Sequence, residues 1–459
     1  MSSEPLGIAL IGCGTVGGGV AKILLDHRER LTGRAGRPLI LRRVIVRDLA
    51  KARAVPFEHR LEAGATQIGT DPAAAIADPA VNVVVELIGG TTTAKKIVLD
   101  ALAAGKHVVT ANKALLAEAG HEIFEAARKS GMTVCFEAAV AGGVPIIRAL
   151  GESLAANQVT AIQAILNGTS NFILTAMSER GMTYATALAE AQRLGYAEAD
   201  PTLDVDGSDA AHKLAVLAQI AFGVDAKPIE IQRQGIDTLE AMDIHFAHEL
   251  GYTIKLLAEA WTSTSKNGER PSRKTSRTGT ATSKTVALHV APVLLRHTDL
   301  LAQVRGAYNA ITVHGDLAGE TLYQGPGAGM MPTASAVVAD LIDLAVGRAQ
   351  CTFAAAKLWS REGKGFTVES AERVKSRFYL RLLVGDHPGV LADITRILAD
   401  ERISISSVVQ HEAAAGESGP IPLVIVTHYT ETGAFKSAIA KIDALLAVEA
   451  PAVYFSMGD

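Results

Sequence analysis

Residues 6–17 read LGIALIGCGTVG, and the fold turns on them. Leu6–Ile11 is an apolar run without a charge, the pattern of a strand buried on both faces, and Gly12 closes it. Val16–Leu25 then has the periodicity of a helix. Between them, Gly12, Gly14 and Gly17 make a GxGxxG spacing that includes Cys13, Thr15 and Val16. The first glycine of such a turn permits its tightness. The second lets backbone approach a pyrophosphate, and the third lets helix pack on strand. The helix N-terminus faces the phosphates. Alone the spacing is weak, and a glycine-rich turn without a ligand is the plainer account. Between a strand and a helix at the start of an alternating chain, it points to a dinucleotide.

Working outward, Leu39–Val46, Val81–Ile88, His107–Thr110 and Thr133–Phe136 read as further strands. Ala94–Ala104, ended by Gly105, and Glu118–Ser130 read as the helices between them. Strands alternating with helices predict an open parallel α/β sheet. Ligands of such sheets sit beyond the carboxyl ends of the strands. The second strand ends in Val46-Arg47-Asp48, with Lys51 and Arg53 close behind. An acid there holds the ribose 2′-hydroxyl of NAD, and an arginine holds the 2′-phosphate of NADP. Arg47 comes first and bases outnumber the acid, so the reading leans to NADP over NAD. A surface ion pair is the bland account. Gly89-Gly90-Thr91 follows the third strand and Thr110-Ala111-Asn112-Lys113 the fourth. A lysine placed as Lys113 is can donate to an alkoxide or carbonyl oxygen, or can be an ordinary surface lysine.

The rest of the composition sets bounds. A chain of 459 residues has room for about three domains. With 48% hydrophobic and 20% charged residues it reads as a soluble globular protein. A net charge of −4 offers no general positive field to nucleic acid or anionic lipid. Cys13, Cys135 and Cys351 are too scattered for a disulfide framework or a zinc site. The start MSSEPLGIALIG lacks the basic and apolar regions of a signal peptide, and no apolar run is long enough to span a membrane, so a cytoplasmic location is expected.

After about residue 137 the pattern changes. Thr183–Leu194 and Ala210–Phe222 predict long helices. The stretch 262–285 is polar, basic and free of aromatic residues, and reads as an exposed loop rather than a nucleic-acid site. From Arg377 on, a strand (Phe378–Val384), a helix (Val390–Asp400), two strands (Ser404–Gln410, Leu423–His428), a helix (Ala434–Leu446) and a last strand (Ala452–Ser456) give a ferredoxin-like βαββαβ unit. Pro388 is expected near the first helical position of that unit.

The most informative stretch is LGYAEADPTLDVDGSDAAHK (194–213), which gathers Glu198, Asp200, Asp204, Asp206 and Asp209. Asp209 and Lys213 stand four apart and share a helix face. Carboxylates can hold a substrate ammonium, and a lysine beside an aspartate can carry a proton. The same acids could bind a divalent cation, although the EF-hand spacing is lacking. The i, i+4 pair could simply stabilise its helix.

With GCGTVG (12–17), TANK (110–113), FEAAVAGGVPII (136–147), LNGTSN (166–171), GYAEADP (195–201), DVDGSDAAHK (204–213) and GPGAGMMPTASAVVADL (325–341), the chain resembles homoserine dehydrogenase over nearly its whole length. That family interconverts L-homoserine and L-aspartate 4-semialdehyde. The resemblance implies that Lys213 is catalytic, that Asp209 is its paired acid, and that Lys113 lies near the nicotinamide and the reacting oxygen. It implies that Glu198 and Asp204 hold the amino group or order the site, and that Gly168, Thr169 and Tyr196 line the substrate pocket. Oxygens of Glu137, Val140, Gly142 and Val144 would hold a monovalent cation, usually sodium. Without the resemblance that loop would read as a structural turn. Gly327 matches a loop returning to the cofactor, so the chain after it should rejoin the nucleotide-binding domain.

The C-terminal unit resembles an ACT domain through GDHPGVL (385–391) and Ile403-Ser404-Ile405. Such domains pair side by side and bind amino acids at the shared interface, in this family usually threonine. The expected architecture is a Rossmann-type dinucleotide-binding domain (1–136, rejoined by about 310–345), an α+β catalytic and dimerisation domain (137–309), a linker (346–376) joined after Gly363–Gly365, and the ACT domain (377–459). A homodimer or homotetramer follows from the same likeness. The polar loop Glu412–Pro422 lies where an effector interface could be covered. The length and basicity of 262–285 depart from the family and put the local strand layout in doubt. Two rivals stand beside this reading. A semialdehyde dehydrogenase working through a cysteine needs an exposed, activated thiol, which none of the three cysteines promises. A sensor without turnover would have no need of both Lys113 and Lys213.

Overall fold

The computed structural model describes residues 4–50, 66–262, 285–360, 366–411 and 419–458. Lys51, Arg53, the basic stretch 263–284, Gly363–Gly365 and the 412–418 part of the polar loop lie outside the described residues. The chain forms two compact units, Met1–Gln158 with His212–Glu230 and Tyr323–Gly365, and Val159–Ala211 with Ile231–Leu322 and Phe366–Asp459.

In the first unit, β1 (Leu6–Ile11), β2 (Leu39–Ile45), β3 (Gln67–Gly69), β4 (Val83–Glu86), β5 (His107–Thr110) and β6 (Val134–Cys135) form one parallel sheet in the order β3-β2-β1-β4-β5-β6. The strand order reverses between β1 and β4, where Ile11 lies level with Glu86. Dinucleotides bind beyond the carboxyl ends at such a switch. The apolar run 81–88 yields only Val83–Glu86 as strand. Asn82 Oδ1 accepts the Gly7 N–H at 2.7 Å, and the Glu86 carboxylate accepts the Ile88 and Gly89 N–H groups at 2.9 and 3.3 Å. The helix Met330–Val346 packs on the helix Thr15–Asp26. A Cβ on Gly19 would stand 2.9 Å from both Ala334 Cβ and Met330.

In the second unit, β7 (Val159–Ile165), β8 (Gln232–Arg233), β9 (Tyr252–Thr262), β10 (Thr285–Arg296), β11 (Tyr308–Gly315), β12 (Gly319–Pro326, in this unit as far as Leu322), β13 (Thr367–Val368), β14 (Lys375–Val384), β15 (Ile405–Gln410), β16 (Ile421–Thr427), β17 (Thr430–Glu431) and β18 (Val453–Met457) are arranged around one long sheet, ordered β12-β11-β7-β9-β10-β18-β14-β16-β15. β9 and β10 pair antiparallel from Tyr252↔Arg296 to Thr262↔Val286, so 263–284 connects two ends already side by side. The stretch 346–376 holds the helix Arg348–Ala356 and β13, which pairs with β10.

The four strands β18-β14-β16-β15, with the helices Val390–Asp400 and Thr432–Ile442, are the expected βαββαβ unit. Phe378, Leu380, Leu382, Ile394, Leu398, Phe435 and Ile439 form its core, and the Phe378 and Phe435 rings stack at 4.0 Å. The helix begins at Val390 behind Gly389, whose φ is +101°, so Pro388 stands two residues before the first helical position. The sheet of this unit is not self-contained. β18 pairs in parallel with β10 at Val293↔Ser456 and Leu294↔Met457, which makes the C-terminal sheet a continuation of the larger one. Alternation along β14 turns Phe378, Leu380 and Leu382 into the ferredoxin-like core and Tyr379 and Arg381 to the opposite face. There Arg381 meets Asp243 of the helix Ala241–Glu249. Among the described residues no single helix is long and apolar enough to cross a membrane.

Candidate active site

At the mouth of the first sheet, Gly12 sits at φ +99°, and a Cβ there would lie 2.6 Å from the Leu87 carbonyl oxygen. A Cβ on Gly17 would lie 2.1 Å from the Gly12 oxygen. By contrast, nothing lies within 4 Å of a Cβ placed on Gly14. The outer two glycines are thus fixed by packing, and the middle one leaves an open cradle at the head of the helix Thr15–Asp26. Thr15 is exposed beside it and Val16 is half-buried. Arg47, two residues beyond β2, is exposed, and the Asp48 carboxylate accepts the Ala50 N–H. Thr91 precedes the helix Thr92–Ala103.

Lys113 opens the helix Lys113–Ser130, and its position is set by a buried relay. Thr110 Oγ1 donates to Glu86 Oε2 at 2.7 Å and accepts the Asn112 N–H at 3.0 Å. The Asn112 side chain caps the helix at Leu115 N and donates to the Gly90 carbonyl at 2.7 Å. TANK therefore acts as a clamp that ties the loop after β4 to the lysine.

The acid-rich segment lies on and before the helix Ser208–Phe222, which carries Asp209 in its first turn and Lys213 one turn later. Asn167 caps the helix Gly168–Arg180 through its Oδ1, which accepts the Ser170 N–H at 2.7 Å. That fixes the amide, so Nδ2 donates to Asp204 Oδ1 at 2.8 Å and Asp209 Oδ2 at 3.0 Å. Ser170 Oγ donates to the Asp204 carbonyl, and Thr169 Oγ1 to the Tyr196 carbonyl, each at 2.7 Å. The Tyr196 ring, 48% exposed, lies 5.1 Å from that of Phe172. A Cβ on Gly168 would lie 2.6 Å from the Ala307 oxygen. Gly168, Thr169, Tyr196, Asp204 and Asp209 are thus held around two short segments. Glu198 is exposed, with its carbonyl taking the Gln192 amide. Asn167 was not singled out by sequence reasoning. Its place before a Gly-Thr-Ser helix start was the available signal.

The loop 137–144 adopts a tight form, with Ala141 at φ +49°. The Glu137 carboxylate accepts the Ile147 and Arg148 N–H groups, both at 3.0 Å. Arg148 also reaches Asp340 at 2.9 Å and Asp343 at 2.8 Å. Burial, with Asp340 nearby, pushes the Glu137 carboxyl up to about 7, while Arg148 and the two N–H groups oppose the rise. Burial raises Asp340 to about 6 against the pull of Arg148. The Gly327 loop lies against this segment, with Gly143 N donating to the Pro326 carbonyl at 3.0 Å. Of the cysteines, Cys135 is buried and its thiol is pushed well up by desolvation, Cys13 belongs to the phosphate loop, and Cys351 is exposed on the helix Arg348–Ala356.

A six-stranded 3-2-1-4-5-6 parallel sheet, a glycine cradle at its switch point and a ferredoxin-like C-terminal unit define a nucleotide-dependent oxidoreductase with an appended ACT domain. Residues 12–137 match the model of the homoserine dehydrogenase NAD-binding domain, 145–342 that of homoserine dehydrogenase, and 378–444 that of the ACT domain. The homoserine dehydrogenase of Neisseria gonorrhoeae is 43% identical over 457 residues, covering 99% of both chains. The crystal structure of a homoserine dehydrogenase from Thiobacillus denitrificans superposes with a TM-score of 0.87 at 43% identity, over 99% of both chains. A hyperthermophilic archaeal homoserine dehydrogenase in complex with NADPH matches with a TM-score of 0.58 at 26% identity, over 74% of this chain and 97% of that one. The chain belongs to the homoserine dehydrogenase family. It is an oxidoreductase of amino-acid biosynthesis that interconverts L-homoserine and L-aspartate 4-semialdehyde.

Proposed function

We propose that Lys213 transfers the proton in this reaction, with Asp209 as its paired acid and Lys113 as an electrostatic partner for the reacting oxygen. The observation that carries this reading is Asn167. One side-chain amide holds Asp204 and Asp209 together at the head of the helix that bears Lys213. Asp204 and Glu198 take the substrate ammonium, and Gly168, Thr169 and Tyr196 shape the pocket around it. When bound, the nicotinamide accepts or gives the hydride at its C4. The chain's own part is to hold substrate and move a proton, a contribution typically worth about 10²–10⁴-fold in rate.

NADP is the assigned nucleotide. Gly12, Gly14, Thr15, Val16 and Gly17 cradle the pyrophosphate, and Arg47 pairs with the 2′-phosphate. Thr91, Lys113 and Gly327 border the nicotinamide end. The open space at Gly14 between two packed glycines fits a pyrophosphate approached by backbone N–H groups. A monovalent cation, sodium by its oxygen donors, belongs to Glu137, Val140, Gly142 and Val144. The Ala141 and Val144 carbonyls accept the Val144 and Ile146 N–H groups, whereas among the described residues no hydrogen bond reaches the carbonyls of Val140 or Gly142. Two such oxygens in a tight buried loop fit a hard cation.

Threonine is the proposed effector of the ACT domain. The enzyme is placed in the cytoplasm as a homodimer or homotetramer, with residues 377–459 as its regulatory part. The deciding experiment is a turnover assay with homoserine and NADP on the wild type and on Lys213→Ala. No turnover of homoserine by the wild type would leave a binding protein and end the reading.

A further inference from the structure

We infer that Lys255 is a positioning residue for the substrate pocket, acting through Asn171 and the loop 304–308 on Gly168. This rests on the reading of Gly168 as a pocket residue. Lys255 lies in β9 and is only 2% exposed. Its ammonium donates to the Val304 carbonyl at 2.5 Å and to Asn171 Oδ1 at 3.0 Å. The second bond fixes the Asn171 amide. Its Nδ2 then faces the carbonyls of Gly306, Val304 and Tyr308 at 2.8, 3.2 and 3.4 Å. Gly306 N donates back to Thr175 Oγ1 at 3.2 Å, one turn along the same helix. Asn309 Nδ2 donates to the Leu166 carbonyl at 3.0 Å. The loop is thereby stitched along the segment 166–175, and its Ala307 oxygen presses where Gly168 has no side chain.

One residue further, Thr169 holds the Tyr196 carbonyl, and one residue back, Asn167 holds the two aspartates. The lysine therefore sets the height of the helix start against the loop that walls it. Removing the ammonium leaves the Val304 carbonyl and Asn171 Oδ1 without their buried donor, so stability falls under either role and only a loss specific to homoserine marks positioning. Burial pushes the Lys255 amine down to about 8, Glu179 opposes this and Arg305 adds to it. With His248 and His297, these groups line a polar cavity of about 270 Å³ that reaches the lysine.

The test is steady-state kinetics on full-length Lys255→Met, Lys255→Ala and Gly168→Ala. Lys255→Met is expected to raise the homoserine KM by about tenfold, the factor given by ~1.4 kcal/mol, while the NADP KM stays within about twofold. Ethylammonium is expected to enter the cavity of Lys255→Ala and restore part of the homoserine KM, a rescue that a merely structural role would not show. Lys255→Gln carries the same KM comparison if the methionine variant does not fold. An unchanged homoserine KM in Lys255→Met, or an equal rise in both KM values, overturns the proposal. If Gly168→Ala raises the homoserine KM and Lys255→Met does not, only the role of Lys255 fails. If Gly168→Ala leaves that KM unchanged, the pocket reading fails and the proposal with it.

Discussion

The Arg381 guanidinium and the Asp243 carboxylate form a two-pronged ion pair, Nε to Oδ1 at 2.6 Å and Nη2 to Oδ2 at 3.1 Å, with both side chains buried. The Tyr379 hydroxyl donates to the same carboxylate at 3.2 Å, and Glu240 reaches the arginine at 3.3 Å. The face of the C-terminal sheet away from its own helices is therefore closed by charge pairing onto the helix Ala241–Glu249. His411 adds to the contact, stacking on Phe246 at 5.6 Å and pairing with Glu249 at 3.0 Å.

Breaking such a pair from one side leaves a buried charge alone, which typically costs about 3–5 kcal/mol. Arg381→Met and Asp243→Leu are each expected to lower the urea unfolding free energy by about that much. The double variant should lose clearly less than the sum, because neither charge is left unpaired. Strictly additive losses would show that the two groups do not depend on each other.

Lys213→Ala is expected to reduce turnover to below about a tenth of wild type while leaving NADP affinity within about twofold. Asn167 gives a finer test. Asn167→Ala removes both a helix cap and the bridge between Asp204 and Asp209, whereas Asn167→Asp keeps the cap and places a third carboxylate between them. Both should lower kcat/KM by about tenfold or more. A loss confined to the alanine variant would assign the effect to the cap and not to the bridge.

All of the first sheet but β3 was legible, because its other strands are largely apolar runs set off from helical periodicity, whereas Gln67–Gly69 is short and half-exposed and carries no strand pattern. The C-terminal unit was legible in the same way, from Phe378–Val384 to its last strand. The long sheet of the second unit was not. β9 mixes Lys255 and Glu259 among apolar residues, and both are buried, Lys255 by Asn171 and Val304, Glu259 by His289 and Gln163. No local pattern distinguishes a charge destined for a buried partner from one facing water. Arg381 is hidden for the same reason, an arginine between Leu380 and Leu382 whose buried partner Asp243 lies far along the chain. In the site, Asp209 and Lys213 stood out by spacing. Asn167 was hidden because its partners come from a segment far along the chain.

The buried ammonium of Lys255 also makes a pH prediction. Its folded value is about 8 against an ordinary 10.5, so between these limits the unfolded chain holds more protons and stability rises with pH. Below about 8 the full cost of the buried charge is present. The stability gap between Lys255→Met and wild type should therefore change in favour of the wild type from pH 8 to pH 10.5, by at most on the order of 3 kcal/mol. Urea melts of both proteins across that range check it. A gap independent of pH would show that the amine titrates as it does in water.

Arg47→Ala should cut the ratio of kcat/KM for NADP over NAD by at least about tenfold, as loss of a charge-assisted contact to a 2′-phosphate requires. The wild type should favour NADP in the same assay. Equal efficiency with the two nucleotides in the wild type would remove the role of Arg47 and leave the cradle around Gly14 untouched.

An amino acid bound to the C-terminal domain would act on strands and a helix of the same compact unit. β18 is hydrogen-bonded to β10, and Arg381 is held by Asp243, so a shift of the ACT sheet is shared with the strands and helix of the same unit. Threonine is expected to bind the intact enzyme in calorimetry even when homoserine is saturating, and to lower turnover. The term allosteric requires both a separate site and a coupled equilibrium. The Arg381→Met/Asp243→Leu double variant separates them. It should still bind threonine, since the side chains face away from the ferredoxin-like core, but the response of turnover to threonine should weaken. Deleting 377–459 would be a poorer test, because it strips the partner strand from β10 and leaves Asp243 without its arginine. Threonine heat that vanishes as homoserine saturates would mark competition at the active site. A full response in the double variant would show that the signal does not pass through this pair.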